Sequence, residues 1–480
     1  MAFDLVWNLR IRDLKIMNRR DIIEVEEPNL LEDLFPHEDV PRIAFDSKIY
    51  EEINGAVVEF DPQEALKREW LITDTTFRDG QQARPPYTVQ QIVDLYNLLA
   101  KMSGPNGIIR QSEFFLYTNK DREAVERCRE LGHKFPEITG WIRAHEGDFK
   151  LVKDMQLAET GMLTSSSDYH IFHKLKMDRR KALDFYVHMA EQAIENGIRP
   201  RLHLEDLTRA DIYGFVVPYV QRLMELGEQA PEHLKPKIRL CDTMGFGLSF
   251  PGAKLPRSIP KLVYIMNHEC GCPPDRLEWH GHNDFHKVHI NGATCWLYGC
   301  NFVNCTLLGY GERTGNPPLE GAVIEYSGLK GTTNGMDTGV ISEITEYFRH
   351  EVGFDIPSNY PFVGRDFNVT RAGIHADGLN KDERIYNIFD TNKVLNRPHA
   401  VGITDKSGVD GVVHWVNDYL GLKGEDRLGK LKLVKIARWV MDQYEDGRIT
   451  SISQEEMETL VKEYLPDHYA QRDIPDAKAS

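Results

Sequence analysis

No run of about 18 apolar residues occurs in this chain of 480 residues, and its mean hydropathy is -0.45. Nothing in it has the length and apolarity of a membrane-spanning helix. Cysteine is scarce, seven in all and therefore odd in number, spread from Cys128 to Cys305. None falls in the C-x-x-C spacing of a zinc or redox pair: one residue separates Cys270 from Cys272, and Cys295, Cys300 and Cys305 lie five apart. Such usage reads as reduced thiols in a cytoplasmic protein. Positive charge is in deficit, 58 Lys and Arg against 74 Asp and Glu, a net charge of -16. That balance argues against sequence-independent nucleic-acid binding. It leaves anionic small substrates open, because a local basic pocket decides those. No internal repeat is visible. The first ten residues lack the apolar stretch of a secretory leader, being interrupted by Asp4, Asn8 and Arg10. Arg10, Arg12, Lys15, Arg19 and Arg20 are offset by Asp4, Asp13 and Asp21, so this stretch reads as a segment covering an interface rather than a transit peptide.

What is present is an ordinary globular composition, 41% hydrophobic and 28% charged. Residues 1–68 are mixed and punctuated by E-E-P-N and F-P-H-E-D-V-P, the texture of an N-terminal extension. From Trp70 a rhythm begins. Short β-branched runs at Trp70–Thr75, Ile108–Phe114, Ile138–Arg143, Gly161–Ser165, Pro200–Glu205, Ile238–Asp242, Leu277–His282 and Phe302–Leu307 predict eight strands. Amphipathic stretches such as Val89–Lys101, Arg122–Leu131, Arg180–Asn196 and Tyr213–Leu226 predict helices between them. Eight such units, with polar residues gathered at several strand ends, predict an α/β (β/α)₈ TIM barrel over 69–330 rather than a doubly wound open sheet. The Gly/Thr-rich stretch from Gly328 to Gly339 reads as a connector. Residues 331–480 read as mostly helical, with helices at Val340–Val352 and Val409–Tyr419 and a capping box, Ser453 and Glu456, ahead of one reaching Leu465. The tail Gln471–Ser480 reads as frayed.

Three motifs carry chemistry. W-H-G-H-N-D holds His280 and His282, two apart on the seventh strand and so on one side of it. Two imidazoles at a barrel mouth can hold a divalent metal; a pair of hydrogen-bonded core histidines meets the same pattern. D-T-T-F-R-D-G-Q-Q, residues 74–82, sets Arg78, Asp79 and Gln82 around Gly80 at the exit of the first strand. A carboxylate there completes a two-histidine, one-carboxylate set, and Arg78 suits a substrate carboxylate or a developing oxyanion; a loop salt bridge is the plain alternative. G-Y-G-E-R-T-G-N, residues 309–316, follows the eighth strand, where such barrels often bind anions. Asn316 can supply a ligand oxygen or cap a turn.

Taken together these motifs resemble the DRE-TIM metallolyase superfamily, in particular its Claisen-condensing branch of isopropylmalate, homocitrate, citramalate and Re-citrate synthases, over about residues 70–420. The resemblance implies Asp79, His280 and His282 as metal ligands, with Asn316 as a fourth, and Arg78 stabilising a polarised keto oxygen beside Gln82. R-L-H-L-E-D-L-T-R, residues 201–209, resembles the fifth-strand E-D motif and makes Glu205 an acid/base candidate. Arg143 in W-I-R-A-H resembles a substrate-carboxylate arginine, and Thr243 in C-D-T-M-G a substrate contact. For Glu205 and Asp206 the alternative is an internal ion pair with Arg209; for Thr243 it is an ordinary strand residue. R-A-G-I-H-A-D-G, residues 371–378, resembles a stretch that a partner subunit lays over the barrel mouth, which implies His375 acting in trans, with Tyr386 beside it, in a homodimer.

The resemblance implies acetyl-CoA and an α-keto acid as substrates and a divalent metal (Mn or Mg ahead of Co or Zn) as cofactor. F-H-K-V-H-I-N-G-A-T-C-W-L-Y-G after H-N-D, F-L-Y-T-N-K-D at 115–121 and N-R-P-H-A-V-G-I-T-D-K-S-G at 396–408 depart from isopropylmalate and homocitrate synthases. They are most similar to the Re-citrate members of the branch, which implies a dicarboxylic keto acid, oxaloacetate. A second carboxylate needs a second cationic grip, and Arg143 is the candidate ahead of Arg209.

Overall fold

The computed structural model describes residue 22 and residues 25–471. The basic N-terminal stretch from Arg10 to Arg20 and the tail after Gln471 lie outside the described residues. Two antiparallel strands come first, β1 (Ile49–Ile53) and β2 (Ala56–Phe60). They are joined by Asn54 and Gly55, both at positive φ (53° and 79°), the backbone of a two-residue hairpin turn. This hairpin is an addition to the sequence reading, which took residues 1–68 only as an extension. The N-G pair between alternating residues was its signal.

Eight parallel strands then close a barrel: β3 (Leu71–Asp74), β4 (Ile109–Phe115), β5 (Glu137–Arg143), β6 (Glu159–Ser165), β7 (Arg199–Glu205), β8 (Lys237–Asp242), β9 (Leu277–Gly281) and β10 (Phe302–Cys305). Closure is made by β10 against β3, in register from Phe302 with Leu71 to Cys305 with Asp74. That ladder decides between the barrel and the open sheet. Every expected strand is present within two residues at its ends, and all six residues of β8 are buried, as strands covered on both faces require.

Helices cover the outside. Val89–Ser103 begins with a reciprocal capping box between Thr88 and Gln91. The expected helix from Tyr213 starts instead as a wide i→i+5 turn, Ile212–Val216, before Val217–Glu228. Pro218 has no N–H to donate and so cannot close a regular turn there. The connector is shorter than expected, because Gly328, Leu329 and Lys330 still belong to the helix Leu319–Lys330.

Two cores form. The larger gathers the barrel and its helices, and takes in Val340, Ile344 and Phe348 from the helix Val340–His350 and residues as far as Leu395. The smaller joins Ala376 and Leu379 to the helices Gly408–Tyr419, Lys430–Glu445 and Gln454–Tyr464. Ser453 and Glu456 make the expected capping box. No helix among the described residues is long and apolar enough to cross a membrane, and all seven cysteines are buried and free.

The loop after β10 is held from below by Glu320, whose Oε2 accepts the Leu308 N–H at 3.0 Å while Leu308 sits at φ 56°. Burial lifts this carboxyl from its ordinary 4.5 to about 7. The folded chain therefore binds this proton more tightly than the unfolded chain. Stability from this group is lost as pH rises from about 4.5 to about 7, on the order of 3 kcal/mol. Glu320→Gln is expected to shrink the fall in Tm between pH 5 and pH 8 relative to wild type. Parallel Tm profiles for the two proteins would remove Glu320 as its source.

Candidate metal centre and active site

Asp79 opens the short turn Asp79–Ala83 directly beyond β3, His280 lies in β9, and His282 lies just past its end. The parity of the strand puts both imidazoles on the inner side. Asp79 Oδ2 stands 3.6 Å from His280 Nε2 and 3.7 Å from His282 Nε2. One ligand atom from each of the three residues falls within 4.8 Å of the others, and all three residues are buried. Burial opposes the Asp79 charge, but the Arg78 guanidinium leads the neighbours that outweigh it, the Asn316 amide among them, and the carboxyl is held at about 2. Burial pushes His280 well below the usual imidazole range, so its ring is neutral and keeps a lone pair.

Asn316 donates its Nδ2–H to the Gly281 carbonyl at 2.9 Å. A Cβ at Gly311 would stand 1.9 Å from Asn316 Oδ1, so only glycine leaves that oxygen its place. Among the described residues, Asp79 Oδ2 and Asn316 Oδ1 are both buried without a hydrogen-bond partner. Orphaned buried acceptors of this kind call for a cation. Two nitrogens and two oxygens form a donor set for a divalent transition metal or Mg, so these residues could hold one.

Beneath the cluster lies a closed circuit of polar contacts. His280 Nδ1 meets Asn304 Oδ1 at 2.7 Å, and Asn304 Nδ2 donates to Thr73 Oγ1 at 2.8 Å. Thr73 Oγ1 donates to Glu278. Glu278 accepts from Arg239 at 2.7 and 3.1 Å, and Arg239 also donates to Glu113 at 2.9 and 3.0 Å. Glu113 accepts from Arg78 Nε at 2.9 Å, and Arg78 Nη1 returns to Asp79 Oδ1 at 3.1 Å. Arg201 ties Glu113 to Glu159 at 2.7 and 2.9 Å, and Lys237 meets Glu159 at 2.8 Å. The barrel interior is thus ionic, and each charge in it is paired, as burial demands.

Arg78 is buried, with its guanidinium 5.7 Å from the centre of the Trp141 ring. Glu205, at the end of β7, accepts from Lys174 at 3.0 and 3.1 Å and from Ser165, and stands 3.0 Å from His170 Nδ1. Burial alone would raise it, but His170, Ser165 and Lys174 hold it at about 2. Of the alternative ion pair with Arg209, the Asp206 half is seen, at 2.8 and 3.0 Å, and the Glu205 half is not. Thr243 Oγ1 accepts the Asp206 N–H at 2.8 Å.

Four candidates stand apart. Gln82 is exposed, and its side chain makes no hydrogen bond among the described residues. Arg143 is exposed and grips Asp148 with two bonds of 3.0 Å, over the Tyr117 ring. His375 and Tyr386 stack with ring centres 4.2 Å apart; Gly378 makes room, since a Cβ there would meet the Tyr386 ring at 2.6 Å. No hydrogen bond, ion pair or ring contact among the described residues links this pair to Asp79, His280 or His282.

Sequence reasoning missed Glu113, His170 and Lys174. Glu113 shares its inward face with Gln111 in β4, a polar i, i+2 pattern like that of the two histidines. His170 follows the polar run Ser165–Asp168 beyond β6, the strand-end signal used for the other motifs.

Residues 69–347 match the family model described as HMGL-like. The chain is 54% identical over 467 residues to the Citrate (Re)-synthase of Syntrophus aciditrophicus, covering 96% of this chain and 72% of that protein. It is 50% identical over 445 residues to the Citrate (Re)-synthase of Clostridium kluyveri, covering 92% and 95%. It is 35% identical over 444 residues to the 2-phosphinomethylmalate synthase of Streptomyces hygroscopicus, covering 91% and 96%. A match over more than half the chain, on a closed barrel with its acidic and histidine side chains gathered at one mouth, places this chain in the HMGL-like (DRE-TIM) family.

Proposed function

We propose that this chain condenses acetyl-CoA with oxaloacetate and hydrolyses the resulting thioester, giving citrate and CoA. The observation that carries the reading is the buried Asp79, His280 and His282 cluster beside Arg78, in a chain at least half identical to two Citrate (Re)-synthases. Bound there, a divalent cation such as Mn or Mg supplies a Lewis acid for the keto group.

The chain's own residues do the rest. Arg78 is pinned by Glu113 and Asp79 at fixed angles, so its guanidinium is set in advance to hold the negative charge that grows on the keto oxygen. Glu205 stays ionised near neutral pH. Its charge orients His170 and Lys174 rather than serving as a strong base. His375 lies on the helix Gly373–Lys381, whose Ala376 and Leu379 belong to the smaller core, with Tyr386 stacked on it, so in this reading a second copy of the chain brings them to the mouth as the proton-handling pair for the acetyl methyl. Thr243, Gln82 and Arg143 remain the substrate contacts, with Arg143 for the second carboxylate. A homodimer in a reducing, cytoplasmic setting suits seven unpaired thiols.

The deciding experiment is product identity from acetyl-CoA with oxaloacetate, 2-oxoglutarate or 2-oxoisovalerate, with and without a chelator. Citrate from oxaloacetate, abolished by chelation, is expected. Preference for another keto acid, or citrate unaffected by chelation, overturns the reading. Arg78→Ala is expected to lower kcat by about 10²–10³ while Mn²⁺ affinity stays within a few-fold. Equal turnover in the two proteins would end the role given to Arg78.

A further inference from the structure

We infer that Asn304 is the positioning residue that fixes His280 with its Nε2 lone pair on the cluster, and that Thr73 and Glu278 relay this orientation from the buried ion pairs. The inference rests on the metal reading above and adds to it how one ligand is aimed.

The direction of each hydrogen bond follows from what each group can do. Glu278 is held ionised by Arg239 and Arg201, so it can only accept, and Thr73 Oγ1 must donate to it. The Thr73 oxygen is then left as an acceptor, and Asn304 Nδ2 fills it at 2.8 Å. That turns Asn304 Oδ1 toward His280, at 2.7 Å from Nδ1. An amide oxygen cannot donate, so Nδ1 carries the hydrogen and Nε2 is left bare, 3.6 Å from Asp79 Oδ2. All of these groups are buried, so bulk solvent does not compete for these bonds. His282 offers the contrast: its Nδ1 is buried with no hydrogen-bond partner among the described residues. The two imidazoles are therefore held unequally, one locked from beneath through Nδ1 and the other set edge-on against it, ring centres 5.2 Å apart, with its own Nδ1 unheld. Ligand histidines commonly depend on such a partner, and its loss costs about 10–100-fold in metal affinity.

The test uses the full-length chain, with Mn²⁺ as the probe. Free Mn²⁺ is followed by electron paramagnetic resonance, and the His280 tautomer by ¹⁵N NMR of histidine-labelled protein without metal. The wild type is expected to show a single tautomer protonated at Nδ1. Asn304→Ala is expected to give mixed tautomers and Mn²⁺ binding about 10–100-fold weaker. Asn304→Asp, which keeps an acceptor oxygen against Nδ1, is expected to restore binding to within a few-fold of wild type. Thr73→Val keeps the shape of Thr73, removes the relay, and is expected to weaken binding even where Asn304→Ala does not fold. Unchanged Mn²⁺ affinity in Asn304→Ala or Thr73→Val overturns the inference while leaving the metal reading in place. Absence of Mn²⁺ uptake by the wild type overturns both.

Discussion

Asp79→Asn is expected to weaken Mn²⁺ binding by well over the roughly 100-fold that losing a supporting partner costs, and to take citrate formation below detection. Asp79 brings the cluster's only carboxylate, and its Oδ2 faces both imidazoles at 3.6 and 3.7 Å. Asparagine keeps the shape and removes the charge. Folding should survive the change, because Arg78 still has Glu113 at 2.9 Å. The carboxyl's contribution to stability exists only above its ordinary 3.8 and is lost as pH falls toward about 2. The Tm difference between wild type and variant should therefore narrow on acidification. Metal titration and circular dichroism on the same samples check the expectation. A folded Asp79→Asn protein that binds Mn²⁺ like wild type would dissolve the centre.

The largest stability effect is expected at Glu113. This carboxylate accepts from Arg78, Arg201 and Arg239, and His203 stands 3.5 Å away. Burial opposes its charge, yet the Arg239, Arg78 and Arg201 guanidiniums hold it well below the usual carboxylate range. Glu113→Ala leaves those cations facing one another with no water to screen them. Breaking a buried ion pair by removing one partner costs about 3–5 kcal/mol, and here one acid answers three bases. Urea unfolding at pH 7.5 should show a lower midpoint with an unchanged slope. The stabilisation is present above the ordinary carboxylate pKa and lost as pH falls below it, so the gap between wild type and variant should close in acid. An unchanged midpoint at pH 7.5 would mean that the ionic interior adds nothing to stability. Because Glu113 also anchors Arg78, turnover should fall with stability in this variant, whereas Arg78→Ala should affect turnover far more than the unfolding midpoint.

The barrel was legible because its eight strands are short apolar runs with turn residues between them, and each was placed within two residues. The Asp79, His280 and His282 cluster was legible for a narrower reason: His280 and His282 obey the period of two that any strand imposes. The same period runs through Arg201, His203 and Glu205 in β7 and through Lys237 and Arg239 in β8, and it was not followed there. Charged residues in a strand read as solvent-facing until their partners are known, and Glu113 lies far along the chain from Arg239. What could not be read was pairing across the barrel. It decides that Glu205 answers Lys174 and His170 rather than Arg209. The wide turn at Ile212–Val216 depends on a single missing N–H, and the β1–β2 hairpin on an N-G pair between two strands of only five residues each.

The Arg143–Asp148 clasp has a consequence for any ligand that approaches that arginine. Its Nε–H and one Nη2–H are already committed to an internal acid at 3.0 Å each, so a carboxylate that takes this side-on edge must evict Asp148, while the Nη1 hydrogens stay open to an end-on contact. Eviction leaves Asp148 with the Tyr117 hydroxyl at 2.8 Å, a neutral donor in place of a cation. A visitor to that edge gains only the difference between its own fit and that of the resident, so Asp148 reserves the side-on grip for a closely matched carboxylate.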